Sequence, residues 1–299
     1  MRLSMTVTVL GLAAATFLAS HASDDSDEVL VIAQDYSIAE LGKGGMEAKD
    51  VRQIVYVRRD FVCIDDVGKG QGANPAIVET IMLDLKNRLI INLDHANKKK
   101  VTESFEARGK RLDDKKKIAR EDIDGINPGP QKDKVERLWH AMLDDSRRFA
   151  LEADVVPAKA IAGVKCKEVQ VAVAFEKAAN GGPYVPMEAF LHPDLELPYD
   201  NTEVLYLLRL IGKHLSDFLR ENKETFKKVP MELHIDLAAG GKLDTKVVSV
   251  EKTTISKLDF SSRGALGNPF EIPANYTEKD KTLTPKPKPV DPEDRKEKP

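Results

Sequence analysis

The chain has 299 residues, with 46 basic and 49 acidic ones and a formal net charge of −3. That near balance lacks the basic excess by which a nucleic-acid binder holds phosphate, so nucleic acid is not an expected partner. The length suits one large β-rich domain with a sizeable core.

At the N-terminus, Arg2 precedes an uncharged, mostly apolar stretch over residues 6–18, and Ser20-His21-Ala22 places small residues before a cut between Ala22 and Ser23. This is the layout of a signal peptide over residues 1–22. Without those residues the net charge is −4. The apolar run is shorter than the roughly 20 residues a membrane-spanning helix needs, and no later segment approaches that length, so no transmembrane segment is expected in the mature chain. No cysteine follows the run to take a lipid anchor. The expected location is the periplasm or cell envelope, or outside the cell.

Residues 23–28 read as an acidic leader, residues 29–276 as a single domain and residues 277–299 as an unstructured Pro/Lys/Glu tail. Within the tail, Pro285-Lys286-Pro287-Lys288-Pro289 favours an extended polyproline spacer. Residues 53–65, with Val55, Val57, Phe61, Val62 and Ile64, read as one long strand. Leu83 and Leu85 alternate with polar residues, Lys86-Asn87-Arg88 turns the chain, and Leu89, Ile91 and Leu93 resume the alternation. A second turn at His95-Ala96-Asn97-Lys98 leads to a third strand carrying Val101 and Phe105, completing an antiparallel meander. Gly68-Lys69-Gly70-Gln71-Gly72 lacks the Gly-Lys-Ser/Thr ending of a phosphate loop and reads as a flexible connection.

Residues 106–134 form a polar, charged excursion. Val135, Leu138, Trp139, Met142 and Phe149 then recur at helical spacing. Val204, Leu207, Leu208, Ile211, Leu215, Phe218 and Leu219 do so again, predicting a long helix over 204–226 opened by the Asp200/Glu203 capping box. Strands are predicted at 164–175 and 231–237, the latter turning through Ala238-Ala239-Gly240-Gly241-Lys242 into a return strand with Val248 and Val250. His192-Pro193-Asp194 reads as a rigid loop. Apolar helix stripes need apolar sheet faces, so the fold class is α+β, with two main helices packed on one face of an antiparallel sheet.

Two constellations stand out. Cys63 and Cys166 lie in separate strand segments. In an oxidising compartment they can form a disulfide whose ~100-residue loop contributes ~4–5 kcal/mol in the chain-entropy model; otherwise they are buried thiols acting as small apolar side chains. Glu232, His234 and Asp236 share one face of a strand at about 7 Å spacing. That suits acid–base groups, but the alternation itself favours a solvated strand face opposite Met231, Leu233, Ile235 and Leu237. His-Glu-x-x-His, clustered Cys/His ligands and Gly-x-Ser-x-Gly are all absent from the sequence. Neither a metal, a cofactor nor enzymatic activity is therefore expected.

Three stretches together resemble a bacterial family of exported proteins, a domain of unknown function within the LolA-like superfamily. They are Met82-Leu83-Asp84-Leu85-Lys86-Asn87-Arg88-Leu89-Ile90-Ile91-Asn92-Leu93-Asp94, then Ile161-Ala162-Gly163-Val164-Lys165-Cys166-Lys167-Glu168, and finally Phe270-Glu271-Ile272-Pro273-Ala274-Asn275-Tyr276. The resemblance implies a curved sheet forming an incomplete antiparallel barrel, with helices plugging its concave side and an apolar cavity between them. It also implies carriage or sensing of lipoproteins or lipids. The expected function is a cell-envelope binding module for an apolar or acyl ligand. The alternatives are an envelope interaction or sensor protein with a spacer tail, and a hydrolase using Glu232, His234 and Asp236.

Overall fold

The computed structural model describes residues 27–38, 49–68, 76–111, 124–125, 127–130, 132–133, 149–153, 158–177, 183–197, 213–236 and 242–278. Among them run thirteen strands: β1 (Glu28–Ile38), β2 (Lys49–Arg58), β3 (Phe61–Val67), β4 (Ile77–Asp84), β5 (Leu89–Asp94), β6 (Lys99–Ser104), β7 (Phe149–Ala153), β8 (Lys159–Ile161), β9 (Val164–Lys177), β10 (Pro183–Glu196), β11 (Lys228–Asp236), β12 (Lys242–Thr254) and β13 (Thr277–Glu278). Three helices accompany them: α1 (105–111), α2 (Lys213–Glu221) and α3 (Lys223–Phe226). The strand order is β13-β6-β5-β4-β3-β2-β1-β12-β11-β10-β9-β7, with β8 on the opening residues of β9. All pairings are antiparallel except β13 with β6.

Each strand sends alternate side chains to opposite faces, and the burial follows. On β2 to β5, Val55, Val57, Val62, Ile64, Ile81, Leu83 and Ile90 enter one apolar cluster. Their neighbours Tyr56, Cys63, Met82 and Ile91 enter another, beneath Leu266, Phe270 and Tyr276 of the C-terminal segment. The first cluster also contains Cys166, Phe190 and Met231 from β9, β10 and β11. Ile90 and Cys166 sit eight strands apart in the order, roughly 40 Å in a flat sheet. The cluster reaches from one to the other through residues of every strand between them. The molecule is thus α+β, built on one large, curved, unclosed antiparallel sheet, as the sequence leads one to expect. Further along the trough, Tyr36, Val169, Leu233, Ile235 and Leu243 form a third cluster capped by Leu219 of α2 and Phe226 of α3.

The meander over β4, β5 and β6 follows its predicted boundaries. At both turns an aspartate accepts from the asparagine three residues on, Asp84 from Asn87 and Asp94 from Asn97, each through backbone and side-chain N–H groups. Arg88 and Lys98 take positive φ at the ends of those turns.

Several expectations are corrected. The single strand over 53–65 is a hairpin: Arg58 pairs with Phe61 around Arg59-Asp60. Phe105 leaves the third strand to open α1. Phe149 begins β7 rather than ending a helix, while Val135, Leu138, Trp139 and Met142 lie outside the described residues, as do residues 204–212. Where the second helix is described, Asn222 ends it by donating from backbone and side chain to the Phe218 carbonyl, and α3 is a separate turn. His192-Pro193-Asp194 lies within β10 at a break in register, where His192 Nδ1 accepts from the N–H groups of Asp194 and Leu195. Glu28 opens β1, and Thr277-Glu278 pair with Lys99-Lys100. Residues 1–26, 69–75 and 279–299, on which fall the expected signal peptide with its cut between Ala22 and Ser23, most of the glycine-rich loop and the polyproline run, lie outside the described residues.

Candidate functional site

The outer face of the β11–β12 hairpin carries a cluster of charges. Glu232 and His234 alternate with Leu233 and Ile235, which point into the trough, so they face the other way. Glu232 is nonetheless only 5% exposed, which corrects the expectation of a solvated face. The reason is Lys159, delivered by β8. Its Nζ lies 2.6 Å from Glu232 Oε1 and 4.9 Å from the centre of the Phe190 ring, over its face.

His234 bridges two carboxylates. Its Nε2 is 3.0 Å from Glu232 Oε1 and its Nδ1 2.6 Å from Asp244 Oδ1. A ring that donates at both nitrogens is an imidazolium. Partial burial pulls His234 down, but the hydrogen bonds to Asp244 and Glu232 outweigh it and the net shift is upward. Burial likewise pushes Glu232 up, while Lys159 and His234 pull it below its ordinary value. Asp35, Ser37, Asp50 and Lys246 complete a cleft of about 220 Å³ beside this cluster.

Asp236, the predicted third member, ends β11 opposite Lys242. The carboxylate that joins His234 is Asp244, its cross-strand partner. Counting outward from the predicted turn at 238–242 would instead set His234 opposite Lys246; the observed register is two residues different, with Asp236 opposite Lys242, and nothing local to β8 announces Lys159. With both ring nitrogens engaged, His234 has no free lone pair to act as a base, and the arrangement is a charge clasp between β8, β11 and β12. Among the described residues, no three His, Cys, Asp or Glu side chains are grouped to hold a metal ion.

Cys63 and Cys166 are both free and buried, in the outer and inner clusters respectively. The disulfide alternative is therefore not made in this structure. Burial, the first and largest cause, holds the Cys63 thiol well above its ordinary value, with Asp65 adding to it.

Inside the trough, a polar ladder crosses the apolar lining. Gln34, Gln53 and Asp66 are cross-strand neighbours on β1, β2 and β3, each at most 2% exposed. Gln34 Nε2 donates to Gln53 Oε1 at 2.9 Å, and Gln53 Nε2 donates to Asp66 Oδ1 at 2.8 Å. Beside them, the Tyr36 hydroxyl is fully buried with no hydrogen-bond partner. Burial, reinforced by Asp66 and Glu79, holds it well above its ordinary pKa. An apolar concavity with a few placed polar groups is the usual make-up of a small-molecule site.

No family model and no curated protein matches the chain. Among solved structures, an uncharacterised conserved protein from Thermus thermophilus aligns over 92% of this chain and 99% of its own at 7% identity and a TM-score of 0.35. A putative outer membrane lipoprotein-sorting protein domain from Vibrio parahaemolyticus aligns over 86% and 95% at 7% identity and 0.29. A β-barrel-like protein of a domain of unknown function from Brucella abortus aligns over 76% and 98% at 9% identity and 0.27. Likeness at this level assigns the chain to none of these families. Among the described residues, no helix is long and apolar enough to cross a membrane.

Proposed function

We propose that the chain is an exported cell-envelope binding module that holds an apolar or acylated ligand in the trough of its curved sheet. The observation that carries the reading is the unpartnered Tyr36 hydroxyl beside the Gln34–Gln53–Asp66 ladder, buried among the apolar side chains of the sheet's inner face. Burying an unpaired hydroxyl is costly, and a bound molecule with a polar group would offset that cost. The Glu232–His234–Asp244 clasp is read as structural, and no catalytic activity is assigned to it. The signal-like layout of residues 1–22 supports export.

The test is to purify the protein without detergent, extract it with organic solvent and identify what co-purifies by mass spectrometry. Stoichiometric acyl lipid that falls away in a Leu233→Glu variant, which puts a charge into the trough, supports the reading. A lipid-free protein that also fails to bind an apolar fluorescent probe overturns it.

One observation favours an interaction role as a second reading. β13 is the outermost strand of the sheet among the described residues, so the point at which a spacer would begin lies at the sheet's edge. Deleting 279–299 would then abolish partner capture and leave ligand content unchanged.

A further inference from the structure

The helix that follows the meander carries a buried cation with three of its five N–H donors unpaired. α1 opens at Ser104, whose Oγ accepts from the Ala107 N–H at 3.1 Å in the manner of an N-cap. Three residues apart on a helix means one face. Phe105 and Arg108 share it, Phe105 in the apolar lining of the trough and Arg108 only 3% exposed, while Glu106, Ala107 and Lys110 face solvent.

Arg108 Nη1 reaches Glu103 Oε2 at 3.4 Å, but Arg111 Nη2 holds the same oxygen at 2.7 Å. One carboxylate thus serves two guanidinium groups. Arg108 Nε and Nη2 are buried and have no partner. These two atoms form the side of a guanidinium that presents two parallel N–H donors. Arg263 uses the same pair to grip Asp65, Nε to Oδ2 at 2.6 Å and Nη2 to Oδ1 at 3.0 Å. On Arg108 that fork is empty. An arginine stays charged when buried, and a fork of this shape matches a planar oxyanion held by two parallel bonds.

We propose that Arg108 is an anion-recognition residue of the trough, its Nε/Nη2 fork gripping the carboxylate or phosphoryl head of an amphipathic ligand whose acyl tail lies along the apolar lining that Phe105 joins. The tail rests on the function proposed above; the head rests on Arg108 alone.

The test uses the full purified chain, stripped of lipid, titrated calorimetrically with hexadecanoate, its methyl ester, hexadecyl phosphate and inorganic phosphate. The parent protein is expected to bind one of the two charged amphiphiles at least ~10-fold more tightly than the uncharged ester, because charge-assisted bidentate bonds exceed neutral ones. Which amphiphile is preferred names the head. Arg108→Lys keeps the charge and loses the fork, so it should fall ~10-fold toward the ester's affinity, while Arg111→Gln stays within ~3-fold. The comparison of acid with ester in the parent protein needs no variant and is immune to misfolding. Equal binding of charged and uncharged amphiphiles, or full affinity in Arg108→Lys, overturns the anion site and leaves the trough reading standing. Inorganic phosphate binding that depends on Arg108, with no amphiphile bound, upholds the site and overturns the acyl reading. No binding of any of the four overturns both.

Discussion

His234 and Asp244 face each other across the β11–β12 ladder with Nδ1 2.6 Å from Oδ1, and the same imidazole reaches back along its own strand to Glu232. One charged ring therefore ties two strands together and, through Glu232 and Lys159, a third.

The clasp makes stability depend on pH with a definite sign. His234 titrates above its ordinary ~6.5, so its contribution is complete below that value and is lost as pH rises through the folded-state pKa. Glu232 titrates below its ordinary ~4.3, so its contribution is complete above that value and is lost as pH falls through its folded-state pKa. The clasp is strongest at about pH 5–6. The His234 side chain is 38% exposed, so water screening limits its share to about 1 kcal/mol or less. The melting-temperature gap between the parent and His234→Gln should narrow from pH 6 to pH 9. A gap that stays constant over that range rules the clasp out.

Arg263 and Asp65 form the most buried ion pair described here, 3% and 0% exposed. Thr80 adds a hydrogen bond to Asp65, and Arg263 also donates to the Gly267 carbonyl. Removing one partner leaves the other charge buried. Arg263→Ala should therefore cost about 3–5 kcal/mol in urea unfolding, and a well-packed double apolar replacement should recover much of it. Arg263 also covers the Cys63 sulfur at 3.5 Å, so Cys63 should be inert to thiol reagents in the parent and reactive in Arg263→Ala. A variant as stable and as unreactive as the parent would contradict the assignment.

The trough polar groups give two opposite expectations. Gln53→Leu takes the acceptor from the Gln34 side-chain amide and one donor from Asp66, and should destabilise by about 1–3 kcal/mol, the cost of a buried hydrogen-bonding group losing its partner. Tyr36→Phe removes an orphan instead, so the ligand-free protein should be unchanged or more stable. Chemical denaturation of the two variants side by side checks both. A Tyr36→Phe loss above about 1 kcal/mol would mean the hydroxyl already has a partner.

The sequence makes the meander legible because period-two alternation, an aspartate three residues before an asparagine, and one buried face all coincide there. The β11–β12 hairpin is readable for the same reason. The β2–β3 break leaves only a change of parity, from Val55 and Val57 to Val62 and Ile64, around a turn of two charged residues. β10 hides because its register breaks at stretches holding Pro186 and Pro193, residues that cannot donate to a ladder. Sites assembled across long separations are the least visible. Glu232 owes its burial to Lys159, 73 positions away, and Asp65 to Arg263, 198 away. No local pattern encodes either, and the Arg108 fork is defined by what fails to meet it.

The position of Arg263 also sets an order of events in synthesis. β1 cannot finish pairing until β12 exists, since Glu28 lies opposite Thr254. The outer surface of β2 to β5 then stays uncovered until Arg263, Phe270 and Tyr276 arrive. A ribosome that has made the first 250 residues therefore holds a chain with an unneutralised Asp65, a bare Cys63 and an unroofed apolar face. Such a chain depends on chaperones or other holding factors until its final sixth is released, and a truncation there would yield an aggregating polypeptide rather than a smaller protein.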